Sequence, residues 1–249
     1  VLVLAQISDL HLDGTERARE RAARVLARLR AMPVDALLVT GDIADHGSET
    51  EYEQAAGLLD GLPFPVLTCP GNHDVRGPYR KALLGHAPED GPVDSFGLVG
   101  GTAILMCDSS IPGEDDGRLS PATYDWIERT LDELGPEVPA LLAFHHPPVA
   151  LHAPLPDSYP LHEPGRLAAL LERRPQIRAL ITGHAHTPAA TVFAGRPVAV
   201  GPGVTWTLRL PWEGGDTVAD RAADPGYALH VLDDEGRLTT HFRSVRADA

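Results

Sequence analysis

Five short clusters hold most of the side chains in this sequence that could do chemistry. They are Asp9-Leu10-His11, Gly41-Asp42, Gly71-Asn72-His73-Asp74, His145-His146-Pro147-Pro148 and Gly183-His184-Ala185-His186. They combine carboxylates, imidazoles and the chain's only Asn, with no thiolate among them. Such hard and borderline donors suit Fe, Mn, Zn or Co rather than Cu(I) or an iron–sulfur cluster. Each cluster alone has an ordinary structural reading: a solvated Asp-x-His turn, a Gly-Asp helix cap, a rigid His-His-Pro-Pro turn. As an ordered set they do not. From this composition a chance Gly-Asn-His-Asp is expected only about 0.0004 times.

The elements that must position these clusters are legible around them. Residues 1–7, 36–40 and 66–69 are apolar runs of strand type, and a cluster follows each. Residues 15–31 read as a helix with Ala22, Val25, Leu26 and Leu29 on one face and Arg on the other, stopped by Pro33. Ser48 with Glu51 three residues on is a capping box opening a helix to Leu59. Strands are predicted at 97–99, 103–107, 140–144 and 179–181, with helices at 120–134 and 165–173 between them. From about residue 192 the pattern turns to short strands joined by Gly/Pro turns, at 192–193, 198–200, 205–210, 227–232 and 238–242. Alternating β and α followed by a β-rich end predicts an α/β sandwich, its last strands completing a second sheet. Ligands of such folds bind beyond the carboxyl ends of the strands, so the five clusters should converge on one rim. No repeat or disordered linker divides the chain, and residues 1–249 are expected to form one domain.

Composition narrows the partners. The net charge is −14, and 20 of the 21 cations are Arg, Lys81 being the exception. Without a basic run there is no footprint for extended nucleic acid. No apolar run approaches the roughly 18–20 residues of a membrane span, and residues 1–5 are too short for a signal-peptide core. A cytoplasmic protein is expected, with Cys69 and Cys107 as buried free thiols.

The ordered motifs resemble the calcineurin-like metallophosphoesterase superfamily, whose pattern is D-x-H, GD-x-x-D, GNH-[DE], a strand-end His, and GH-x-H. Ile7-Ser8-Asp9-Leu10-His11, His145-His146-Pro147-Pro148 and Gly183-His184-Ala185-His186 are closest to its class III cyclic-nucleotide phosphodiesterase branch, with bacterial glycerophosphodiesterases as neighbours. The resemblance implies a four-layer α/β/β/α sandwich of two mixed sheets flanked by helices, around two metal ions of Fe, Mn or Zn type. By motif, Asp9, His11, Asp42 and His186 would hold the first ion. Asp42 as bridge, Asn72, His145 and His184 would hold the second. The implied activity is hydrolysis of a small phosphodiester, 3′,5′-cyclic nucleotides foremost, by a metal-bridged hydroxide; a homodimer would be compatible with it. Two divalent ions bring +4 against −2 from Asp9 and Asp42, making a cationic pocket in an acidic protein. His73 would stabilise developing charge or protonate the leaving alkoxide, and Asp45 would orient His73.

The departures from the pattern are informative. Phosphatase relatives carry a phosphate-gripping Arg after the residue equivalent to Asp45, and here it is His46. Arg76 and Arg118 are the candidate substitutes. No Tyr stands where purple acid phosphatases bind iron. Asp74 is expected to fix its loop, and His146 to stand behind the ligands or on an exposed loop. Trp206, Trp212 and Tyr159, in the long Pro/Gly-rich connections, are candidates to stack on a base. The alternative substrates are glycerophosphodiesters or phospholipid headgroups. A non-enzymatic binding scaffold is disfavoured because every ligand position and the catalytic His are filled.

Overall fold

In the computed structural model, which describes residues 1–87, 89 and 91–246, the chain begins with β1 (Leu2–Ile7), α1 (Glu16–Arg30), β2 (Ala36–Thr40), α2 (Glu49–Leu59) and β3 (Val66–Cys69). A short helix α3 (Arg76–Tyr79) runs into one π-helical turn, Arg80–Leu84. The middle of the chain forms β4 (Ser95–Val99), β5 (Thr102–Met106), the ribbon β6 (Ser110–Ile111) and β7 (Glu114–Gly117), α4 (Pro121–Leu134), β8 (Ala140–Ala143), α5 (Pro164–Arg173) and β9 (Ile177–Thr182). It ends with β10 (Ala189–Phe193), β11 (Arg196–Val200), the ribbon β12 (Thr207–Leu208) and β13 (Ala219–Asp220), β14 (Gly226–Leu232) and β15 (Leu238–Ser244). One sheet has the order β15-β14-β1-β2-β3, the other β10-β11-β9-β8-β5-β4.

Period-two alternation sets the layers. In β1 and β2, Ala5, Ile7, Leu37 and Val39 pack with Ala22, Val25, Leu26 and Leu29 of α1 and Tyr52 and Ala55 of α2. Their neighbours Leu2, Leu4, Ala36 and Leu38 face the other sheet, meeting Ile104, Met106, Leu141, Ala143 and Ile181. The far side of that second sheet, through Leu105, Leu142 and Leu180, packs on Ile127 and Leu131 of α4 and Leu167, Leu170 and Leu171 of α5. The result is α/β/β/α. Both sheets are covered on both faces, which is why their central strands read as unbroken apolar runs.

Local signals hold closely. Thr15 and Ser48 cap α1 and α2, the latter with the full capping box, and Ser120 caps α4. Sheet membership differs from expectation at the C-terminal end. β10 and β11 do extend the second sheet, but β14 and β15 join the first, β14 pairing antiparallel with β1 from Leu2↔Leu232 to Gln6↔Ala228. Of the strand expected at 205–210 only Thr207–Leu208 pairs, and its partner is β13. Among the described residues no helix is long and apolar enough to cross a membrane.

Candidate metal centre

The parallel strands β1, β2 and β3 of one sheet and β8 and β9 of the other end at the same rim, and each delivers its cluster within five residues of its last paired position. The turns that follow are forced. Asp9, His11, Asp42, His184 and His186 all have positive φ, between 42° and 70°, which makes them five of the eight non-glycine residues in that region among the described residues. Non-glycine residues pay in backbone strain there, and such strain concentrates at functional sites. Gly41 has φ +91°, and a Cβ on it would overlap His145 Nδ1 and come within 2.8 Å of Gly71 N. Only glycine lets the β2 and β3 loops close on His145.

Hydrogen bonds to the far ring nitrogens assign the tautomers and aim the near ones. His11 Nδ1 donates to Asp45 Oδ1 at 2.7 Å, His186 Nδ1 to the Trp206 carbonyl at 3.2 Å, and His145 Nδ1 to the Thr40 carbonyl at 2.8 Å. His184 uses its other nitrogen, Nε2, toward the Pro156 carbonyl at 3.3 Å. The lone pairs left over face one another. His11 Nε2 and His186 Nε2 are 3.2 Å apart, with Asp9 Oδ1 3.5 Å from the second of them. His184 Nδ1 lies 3.2 Å from Asn72 Oδ1. Asp42 Oδ2 is 3.5 Å from His11 Nε2 and 3.3 Å from His145 Nε2, so one oxygen looks into both groups.

Electron-rich atoms in such opposition repel unless a cation stands between them. Both carboxylate oxygens of buried Asp9, and His145 Nε2, make no hydrogen bond at all, which burial normally forbids. The electrostatics agree. Burial alone would lower the His145 pKa, but the Asp42 charge and contact, then Asp9, push it up to about 9, so a proton is drawn in where a metal would serve. Burial holds His184 and His186 down at about 4, neutral and ready to ligate. For Asp42, His145 and then His11 and His73 overcome the burial penalty and keep the carboxylate ionised. These donors could hold two metal ions: Asp9, His11, Asp42 and His186 one of them, and Asp42, Asn72, His145 and His184 the other.

Other sequence candidates fall at the same rim in different parts. The His73 side chain is 39% exposed, beside the His11 ring, with centroids 4.6 Å apart. Its Nδ1 donates to the Asp45 backbone carbonyl at 2.8 Å, whereas the Asp45 carboxylate is 3.7 Å away. The expectation that this carboxylate orients His73 thus needs correction: its hydrogen bond goes to His11, and the loop backbone holds His73. Asp74 accepts from the amides of Ile43, Ala44 and Gly71 and from Tyr52 Oη, stitching the β2 and β3 loops together. His146 is fully buried between Ser109 Oγ and the Asp115 carbonyl, which occupies both its nitrogens. His46 is turned to Glu51 Oε1 at 2.8 Å. Trp206 stacks on His186 and His11 and carries Arg221 over its ring, so it covers ligands rather than offering a free face. Arg76 is engaged by Asp108 and the Ser110 carbonyl; Arg118 is exposed.

Several supporting groups carried no motif. Ser109 Oγ accepts from the amides of His145 and His146, setting the turn that carries both. Arg21, on the α1 face, is buried and donates to the Val204 and Ala223 carbonyls, bracing the loop that bears Trp206. An Arg among other Arg residues on an amphipathic helix gives no such signal. Only its place three residues after Ala18 and four before Val25, on the flank of α1's apolar face, could have hinted at it.

A two-sheet α/β sandwich that gathers imidazole and carboxylate donors at one rim defines a metallophosphoesterase. The calcineurin-like phosphoesterase family model matches residues 2–188, and the chain belongs to that family. It is 33% identical, over 93% of its length and 80% of the relative's, to a probable cyclic nucleotide phosphodiesterase of Rhodococcus erythropolis. It is 31% identical to the glycerophosphodiester phosphodiesterase GpdQ of Enterobacter lignolyticus, over 81% of this chain and 77% of the relative. A dimetal phosphatase from Danio rerio shares the fold with a TM-score of 0.74 at 14% identity, covering 99% of this chain and 97% of that one.

Proposed function

We propose that this chain is a binuclear metal-dependent phosphodiesterase of small phosphodiesters, with 3′,5′-cyclic nucleotides as the first substrate class. The opposed lone pairs of His11, His186, His184 and Asn72 beside the unpartnered Asp9 and His145 carry the reading. Fe, Mn or Zn suit the donors, and the free buried thiols Cys69 and Cys107 suit a cytoplasmic setting. Bound there, two ions would supply Lewis-acid charge and a nucleophilic oxygen near neutral pH.

The chain's own residues do the rest. Hydrolysis adds a water oxygen to phosphorus, breaks one ester P–O bond, and leaves an alkoxide that needs a proton. With Nδ1 tied to the Asp45 carbonyl, His73 presents Nε2 as the proton-giving atom. Asp45 fixes the ring of His11, Thr40 that of His145, and Trp206 that of His186, so the ligand atoms stay aimed when substrate arrives. Neutralising the second charge of a phosphomonoester usually falls to a free Arg fork. His46 stands in its place, and Arg76 is committed to Asp108.

Diesters are therefore favoured. At pH 7–8 we expect a higher kcat/KM for an aryl phosphodiester than for the matching monoester, together with hydrolysis of cyclic AMP or cyclic GMP. Equal or better monoester turnover would reject the diesterase reading. Diester cleavage without cyclic-nucleotide cleavage would move the substrate to the glycerophosphodiester class, which the second group of relatives favours.

A further inference from the structure

Beside His184 lies a cavity of about 230 Å³ that no step above uses. Its walls come from the loop after β8 and the segment leading into α5, including Pro147, Pro148, Pro156, Pro160 and Pro164, with His184 at its inner end. Val149, Ala150, Leu151, Leu161 and Tyr159 complete the lining. Proline has no N–H to offer and little freedom to move, so this is a stiff, largely apolar recess.

Its polar groups are mostly spent. Asp157, the acidic residue of the lining, accepts from the amides of Leu151 and Ala153 and staples the loop to itself. The Pro156 carbonyl is taken by His184 Nε2. The Tyr159 hydroxyl has no partner among the described residues and remains to offer one hydrogen bond. The wall is braced from behind: Gly117 of β7 donates to the Pro160 carbonyl, His162 N donates to the Gly117 carbonyl, and the His162 ring meets Asp116 at 2.8 Å. No Lys or Arg lines the recess, so an anion is not its ligand.

Resting on the phosphodiesterase reading, we infer that this recess receives the flat, weakly polar base of a nucleoside ester while its phosphate lies at the metal centre, with Val149, Ala150 and Tyr159 as specificity-determining residues. A base presents apolar faces to the proline and aliphatic walls and an edge atom to Tyr159. A glycerol group would bury hydroxyls against walls that cannot pair with them, an uncompensated desolvation. The recess thus selects nucleotides over glycerophosphodiesters.

The test uses the whole protein and two readouts. Adenosine, which has no phosphate, should bind the chelator-treated protein by calorimetry, and glycerol at the same concentration should not. Val149→Phe, and independently Ala150→Phe at the exposed mouth, should weaken adenosine at least tenfold. With the metal-loaded enzyme, the KM of cyclic AMP should lie at least tenfold below that of an abasic 3′,5′-cyclic ribose phosphate, and either Phe variant should remove that difference while the abasic substrate's kcat is kept. Unchanged adenosine binding in both variants, or equal KM for the two cyclic phosphates in the wild type, overturns the recess. Adenosine binding that behaves as stated in a protein that cleaves no phosphodiester overturns the reaction instead and leaves the recess standing.

Discussion

Asp45 accepts a 2.7 Å hydrogen bond from His11 Nδ1, so its loss is felt first by a residue proposed to hold the first ion. Residues that orient metal-ligating imidazoles are worth about 10–100-fold in metal affinity. Asp45→Ala should weaken one of two ions by that amount in a chelator competition, with the other retained. Unchanged affinity with only a shifted pH–rate profile would show that Asp45 works through His73 after all. His73 itself is held by backbone, and it hydrogen-bonds to no ligand side chain through its ring. His73→Ala should keep the full metal content and lower kcat by roughly 10²–10⁴-fold for alkoxide leaving groups, less for an activated aryl group. Metal loss in that variant contradicts the assignment. The motif resemblance singled out both residues and paired Asp45 with His73. The carboxylate meets His11 instead, because Asp45 sits on a loop whose fold decides which of two imidazoles it reaches.

Among the elements, β14 shows how far sequence carries. Its apolar run was legible, but its place between β1 and β15 is a choice among distant partners that no local pattern encodes. The same holds for the β6–β7 ribbon, whose acidic Glu114–Gly117 strand lies in a long connection with no strand signal yet braces the recess from behind. The strand-end clusters were legible because they need only the end of an apolar run and a group of carboxylate, imidazole or amide side chains directly after it. The placement of β14 has a measurable consequence at His230, which is fully buried between Gln6 Oε1 at 2.9 Å and Thr240 Oγ1 at 2.8 Å. Burial lowers its pKa to about 3, against about 6.5 in an unfolded chain. The unfolded state therefore binds a proton that the folded state refuses. The contribution is complete above about pH 6.5 and is lost as pH falls toward 3, at up to about 1.4 kcal/mol per pH unit. His230→Gln should flatten the pH dependence of urea stability of the metal-free protein between pH 4 and 6.5 by that slope. Parallel profiles for variant and wild type contradict it.

At the scale of the molecule, two sheets sealed on both faces leave the rim as the place where polar groups can gather, and the strain of five left-handed residues is spent there. An acidic chain of net charge −14 meets an anionic substrate through the cations it holds, so its chemistry depends on their number. Asp42, whose Oδ2 looks into both groups of donors, ties the two sites together. The most direct measurement is metal content per chain, by elemental analysis of protein whose specific activity toward an aryl phosphodiester no longer rises on adding metal. Two ions per chain are expected, with both lost in Asp42→Ala; one ion per chain in fully active protein would contradict the binuclear centre.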